Sequence, residues 1–112
     1  VMGLPYLRFT GFSTETLQAL APAIIDVFTG IVDMSKEKVK IERVMSEPIA
    51  NVPLTLEIRM FPRDQDVHDD IAETFTTFFR EEGYDSVHIY FLLLSPERYY
   101  KNGKPIKRSI KQ

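Results

Sequence analysis

A chain of 112 residues with 44% apolar residues is near the modal size of a single domain and can bury one core. Its 14 basic and 16 acidic residues leave a net charge of -2, which gives no electrostatic case for nucleic acid or an anionic membrane surface. Cysteine is absent, which excludes disulfides, thiolate nucleophiles and cysteine metal sites. No apolar run approaches the ~20 residues that span a bilayer, and Val1-Met2-Gly3-Leu4 lacks the basic and apolar regions of a signal peptide, so a cytoplasmic location is expected. Val1, where an initiating methionine belongs, reads as a remnant or a processed end.

Residues 5–10 alternate in polarity, Leu7 and Phe9 against Arg8 and Thr10, the period-2 sign of a half-buried strand that Gly11 breaks. Ser13 is placed to cap a helix whose Leu17, Leu20, Ala21, Ile24, Phe28 and Ile31 form one apolar stripe. Pro22 within it lacks a backbone donor and is expected to kink or divide the helix, with Gly30 marking a frayed end. Residues 38–44 alternate again, Val39 and Ile41 against Lys40 and Glu42, until Glu47-Pro48 closes the strand.

Leu54, Leu56, Ile58 and Met60 give a third strand its apolar face. Pro62 and the polar run Arg63-Asp64-Gln65-Asp66 lead into a second helix, with Val67, Ile71, Phe75, Phe78 and Phe79 inward and Gly83 as its stop. The fourth strand, residues 86–94, is apolar on both sides, with Ile89, Phe91 and Leu93 on one and Tyr90, Leu92 and Leu94 on the other. Two helices cover only one face of four strands, so the second face calls for another copy of the chain, or else for the C-terminal segment folded back over it.

Pro5 and Pro53 are 48 residues apart, as are Pro48 and Pro96, and Val39 with Ile41 repeats as Val87 with Ile89. The fold class expected is therefore α+β: two β-α-β repeats, about 5–48 and 53–96, forming a four-stranded sheet with two helices on one face. The repeat is one of architecture, because the apolar alternation of the first strand matches the third only at an odd offset. Residues 97–112 form a C-terminal segment carrying five basic residues (Lys101, Lys104, Lys107, Arg108 and Lys111), which reads as a solvated tail.

Pro5-Tyr-Leu-Arg-Phe resembles the proline-led first strand of the tautomerase superfamily that includes macrophage migration inhibitory factor. Pro96-Glu-Arg-Tyr-Tyr-Lys-Asn-Gly resembles the segment after the last strand of carboxymethyl-hydroxymuconate isomerases. The pair of motifs is most similar to an uncharacterised bacterial branch with a proline-led Leu-Arg-Phe strand and a Tyr-Tyr-x-Asn-Gly segment. The resemblance spans residues 5 to about 106. It implies a homo-oligomer, generally a trimer around a central channel, a small carboxylate ligand, and keto-enol isomerisation without metal or cofactor.

It also implies an amino-terminal proline as the proton carrier. A free α-amino group titrates near ~8 and burial lowers that value, so such a proline can be a neutral base near pH 7. Pro5 follows Leu4, and its nitrogen is an amide without a basic lone pair. Removal of Met2 would expose Gly3, so Pro5 can act only if its nitrogen is freed. An inactive oligomeric scaffold or small-anion binder is the rival reading, and a ferredoxin-like regulatory module, with a different strand order, is a third.

The resemblance also places Arg43 where related isomerases hold a carboxylate, and Arg63, ahead of the second helix, suits an anion; either is otherwise a surface arginine. Arg8 and Arg59 are weaker versions of the same idea. Tyr99, Tyr100 and Asn102 line a pocket if the isomerase-like segment closes over a neighbour, or else Asn102-Gly103 is a tight turn with tyrosines packed beside it. His88 is a substrate contact or a structural strand histidine. Asp64, Asp66, His68, Asp69 and Asp70 match no spaced metal motif and serve a helix start without a metal.

Overall fold

The computed structural model describes residues 4–107. Val1 to Gly3 and the tail residues Arg108 and Lys111 lie outside the described residues. Strand β1 (Tyr6–Thr10) is followed by helix α1 (Thr14–Ile31), a short 3-10 turn (Lys36–Lys38) and β2 (Lys40–Val44). The second unit repeats the plan with β3 (Leu54–Met60), α2 (Gln65–Glu81) and β4 (Val87–Leu93), and a hairpin of β5 (Tyr100–Lys101) and β6 (Lys104–Pro105) follows it. Among the described residues no helix is long and apolar enough to cross a membrane.

The sheet order is β2-β1-β3-β4, with β1 parallel to β2, β3 parallel to β4, and β1 antiparallel to β3. Each unit thus keeps its two strands adjacent and the units meet back to back. This excludes the ferredoxin-like arrangement, a split β-α-β plan in which a strand of one unit separates the two strands of the other. The odd offset of the repeats persists in the core, where Leu7 and Phe9 of β1 and Leu56, Ile58 and Met60 of β3 are buried.

Both helices cover one face because their apolar residues recur every three or four positions. Leu17, Ile24 and Phe28 are buried on α1, and His68, Ile71, Phe75 and Phe79 on α2. Phe9, Phe12, Phe75, Phe78 and Phe79 meet ring to ring, and fully burying each such ring contributes about 1.5–3 kcal/mol. The Ser13 hydroxyl accepts from the Thr16 N–H at 3.1 Å and caps α1 as expected.

Two expectations need correction. Pro22 does not divide α1, which runs unbroken through it; the residue lies on the exposed side, where a helix tolerates a missing bond by bowing toward water. Gly30 lies inside the helix, whose cap is Val32. The stop at Gly83 holds: with φ +95 it lets the Tyr84 N–H reach the Phe79 carbonyl at 2.8 Å and its own N–H the Arg80 carbonyl at 3.0 Å.

Among the described residues none covers the second face of the sheet at β4. Tyr90 is 49% and Leu92 42% exposed, so the described part of the C-terminal segment, residues 97–107, does not cover them. Leu93, expected inward, is 47% exposed at the end of this edge strand.

Candidate functional site

A cavity of about 530 Å³ opens at the end of the sheet where β1 begins and β3 ends. Because α1 runs back to the start of β1, its last turn and the residues after it (Phe28, Val32, Asp33 and Met34) form one wall. Met60, Phe61, Pro62 and Arg63, between β3 and α2, form a second. Leu4 and Pro5 close the base, and Pro96, Ile106 and Lys107 the third side. Among the described residues the lining is apolar except for Asp33, Arg63 and Lys107, all three exposed. An apolar hollow with two cations and one acid at its edge suits a small anion with an apolar body.

Pro5 is fully buried, and its carbonyl accepts the Lys40 N–H at 3.1 Å. Leu4, bonded to the Pro5 nitrogen, is itself only 6% exposed, so that nitrogen is a covered amide. In this chain Pro5 offers the cavity a ring, not a base. Arg63 donates from Nη1 to the Phe61 carbonyl at 3.2 Å and to the Pro62 carbonyl at 3.4 Å, bonds that hold its side chain against the cavity wall.

The other candidates do not share this cavity within one chain. Arg43 lies on the helix-covered face, donates from Nε to the Phe12 carbonyl at 2.8 Å, and lines a smaller hollow of about 220 Å³ with Leu17 and Gln18. Arg8 faces the open side, bound to Glu42 at 2.7 Å and Glu57 at 3.4 Å, and Arg59 joins Glu57 at 2.8 Å. His88 pairs in register with Thr55 at the opposite end of β4. Tyr100 and Asn102 sit on the hairpin, where Asn102 and Gly103 have φ 55 and 77, as a two-residue turn with both central residues left-handed requires. Tyr99 packs edge-on against Phe61 and its hydroxyl lies 3.4 Å from that of Tyr6.

Lys107, read from sequence as tail, belongs to the cavity because the hairpin turns the chain back: the Ile106 N–H reaches the Tyr99 carbonyl and the Lys107 N–H the Pro96 carbonyl. The Asn-Gly turn was the available signal. Nearby, the Glu97 carboxyl is held below the usual range, first by the Ser95 hydroxyl, then by its own backbone N–H, with Lys107 adding attraction against slight burial. Of the acidic run before and within α2, Asp69 accepts from Gln65 and Asp70 from Thr74, while His68 turns into the core. Among the described residues no three His, Asp or Glu side chains gather as a metal site would need.

The family model described as a Domain of unknown function (DUF1904) matches residues 4–105. The chain belongs to that family. A second DUF1904 structure, from Sebaldella termitidis, superposes with a TM-score of 0.79 at 23% identity over 89% of this chain and 97% of that one. A protein of unknown function from Vibrio cholerae gives 0.83 at 22% identity over 90% and 86%. A macrophage migration inhibitory factor-like protein from Entamoeba histolytica gives 0.68 at 8% identity over 89% and 96%. At these identities the likeness is one of fold, and this DUF1904 chain has the tautomerase fold. No curated protein sequence matches it.

Proposed function

We propose that the cavity binds a small organic carboxylate, and that it performs cofactor-free keto-enol isomerisation when Pro5 leads the chain. One observation carries the reading: Pro5 walls the same hollow that Arg63 and Lys107 overhang. The two cations hold the carboxylate and the apolar walls hold the remainder of the ligand. With its nitrogen free, Pro5 would be a secondary amine in an apolar pocket, neutral enough near pH 7 to take a proton from the carbon beside the ketone. The resulting ammonium returns that proton to the carbonyl oxygen, so one proton moves from carbon to oxygen and nothing else is consumed. In the intact chain the amide nitrogen cannot take this part, and the cavity binds without turning over.

Self-association belongs to the same reading. The resemblance implies a trimer, and packing of copies would bring the exposed hairpin with Tyr100 and Asn102 against a neighbour. Arg43, His88 and Arg8 act on a ligand only if such packing carries them there.

The test compares ketonisation of phenylenolpyruvate, followed by ultraviolet absorbance, by the intact chain and by a chain whose first residue is Pro5. The Pro5-led protein is expected to exceed the solvent rate by about a hundredfold or more, the scale of positioned acid-base catalysis, and Pro5→Ala in it to abolish the gain. Both proteins folded and both at the solvent rate would refute isomerisation of this substrate. Carboxylate binding is scored separately by titrating phenylpyruvate into the intact chain, where Arg63→Ala and Lys107→Ala are each expected to weaken it.

A further inference from the structure

His68 is the one polar residue among the described residues buried with the core, at 6% exposure, and the isomerisation scheme does not use it. It lies in the first turn and a half of α2, four residues after the N-cap Asp64, whose own side chain makes no capping bond. At that position a helix commonly carries an apolar side chain that staples the residue before the cap. Here the staple is polar. His68 Nε2 accepts the backbone N–H of Arg63, the residue before the cap, at 3.1 Å. The imidazole packs edge-on against Phe91 of β4, ring centres 4.6 Å apart, so the acceptor is fixed by the sheet.

An Nε2 that accepts leaves the proton of a neutral ring on Nδ1, and Nδ1 is buried without a partner. A buried N–H without an acceptor is a standing cost that a leucine of similar size would remove. Stability alone therefore does not account for a histidine here. What the ring gains is the bond at Nε2, and that bond ties the Phe61-Pro62-Arg63 wall of the cavity to the core.

We propose that His68 is a positioning residue of the cavity, whose Nε2 pins the Arg63 backbone and so sets where the Arg63 guanidinium meets a bound carboxylate. The ligand half of this statement rests on the reading above. The pinning half does not.

Nitrogen-15 NMR of the intact chain tests the pinning without any ligand. It is expected to show His68 protonated on Nδ1 and bare on Nε2, with a scalar coupling between Nε2 and the Arg63 amide nitrogen. A proton on Nε2, or an Arg63 amide that exchanges as freely as a loop amide, overturns the proposal. Two variants then test the consequence. His68→Gln keeps an acceptor near the Nε2 position, and His68→Leu removes it. With phenylpyruvate as probe, Leu is expected to weaken binding roughly fivefold, the scale of one hydrogen bond, at an unchanged or higher melting temperature, while Gln restores it. Equal binding by Leu and Gln variants overturns the positioning role. If the unmodified chain binds no phenylpyruvate, the carboxylate reading falls, and the NMR result alone still decides whether His68 pins Arg63.

Discussion

Tyr6 and Tyr99 come from opposite ends of the chain and meet hydroxyl to hydroxyl beside the cavity. The Tyr99 phenol is pushed above the ordinary tyrosine value, chiefly by this hydrogen bond, then by partial burial and by the charge Tyr6 would carry. A raised folded-state value means that the contact contributes stability in full below the unfolded tyrosine value and loses it as pH climbs through the folded one. Tyr6→Phe should therefore lower the Tyr99 titration toward the ordinary value and flatten the alkaline loss of stability; a Tyr99 ring signal that titrates identically in both proteins would contradict this. Gly11 is a second single-residue constraint, because its φ is +95 and a Cβ there would stand 2.6 Å from Leu54 Cδ2. Gly11→Ala is expected to cost about 1–3 kcal/mol in urea unfolding, the range for left-handed strain with overpacking. Pro5, singled out by the resemblance, and Arg63, by its place ahead of the second helix, both line the cavity. Lys107 and the role of His68 could not be picked from the sequence, since one depends on a hairpin returning the chain and the other on a bond from a side chain back over the helix start.

The helices were legible because burial on one side leaves a three- and four-residue period, and their ends because Ser13 and Gly83 have the chemistry that each end needs. Pro22 misled because a missing donor states a cost and not which side of the helix bears it. On the exposed side of α1 the cost is tolerated rather than removed. Pro22→Ala restores a donor for the preceding turn and is expected to stabilise the protein by about 1–2 kcal/mol, below the ~3 kcal/mol difference in helix propensity because proline also restricts the unfolded chain. An unchanged urea midpoint would mean that α1 has already absorbed the defect by bending. The strands were legible for the same reason as the helices, except β4, whose apolar residues point both ways and whose second side has no cover among the described residues.

That open side is organised in rows across the four strands. One row runs Lys40, Tyr6, Arg59 and Leu92, the next Glu42, Arg8, Glu57 and Tyr90. Glu42, Arg8, Glu57 and Arg59 satisfy one another in a chain of ion pairs, and Lys40 lies over the Tyr6 ring at 5.1 Å. The two acids and two arginines pair internally, while Lys40 adds one positive charge at the β2 edge, held by the Tyr6 ring and the Lys38 carbonyl, and both rows end on β4, away from it, in exposed apolar side chains. A free edge strand with an apolar outer side is a surface that a second copy of the chain fits, and self-association through it is the whole-molecule counterpart of the proposed function. Sedimentation should then give a mass that is a multiple of 13.0 kDa. Leu92→Lys puts a cation in register with Arg59 on that surface and is expected to bring the mass down to a single chain without changing the circular dichroism spectrum. If the unsubstituted protein already sediments as one chain, the open side serves no contact between copies. The hairpin tyrosine and asparagine then have no neighbour to close over, and any binding must be carried by the Pro5 cavity of a lone chain.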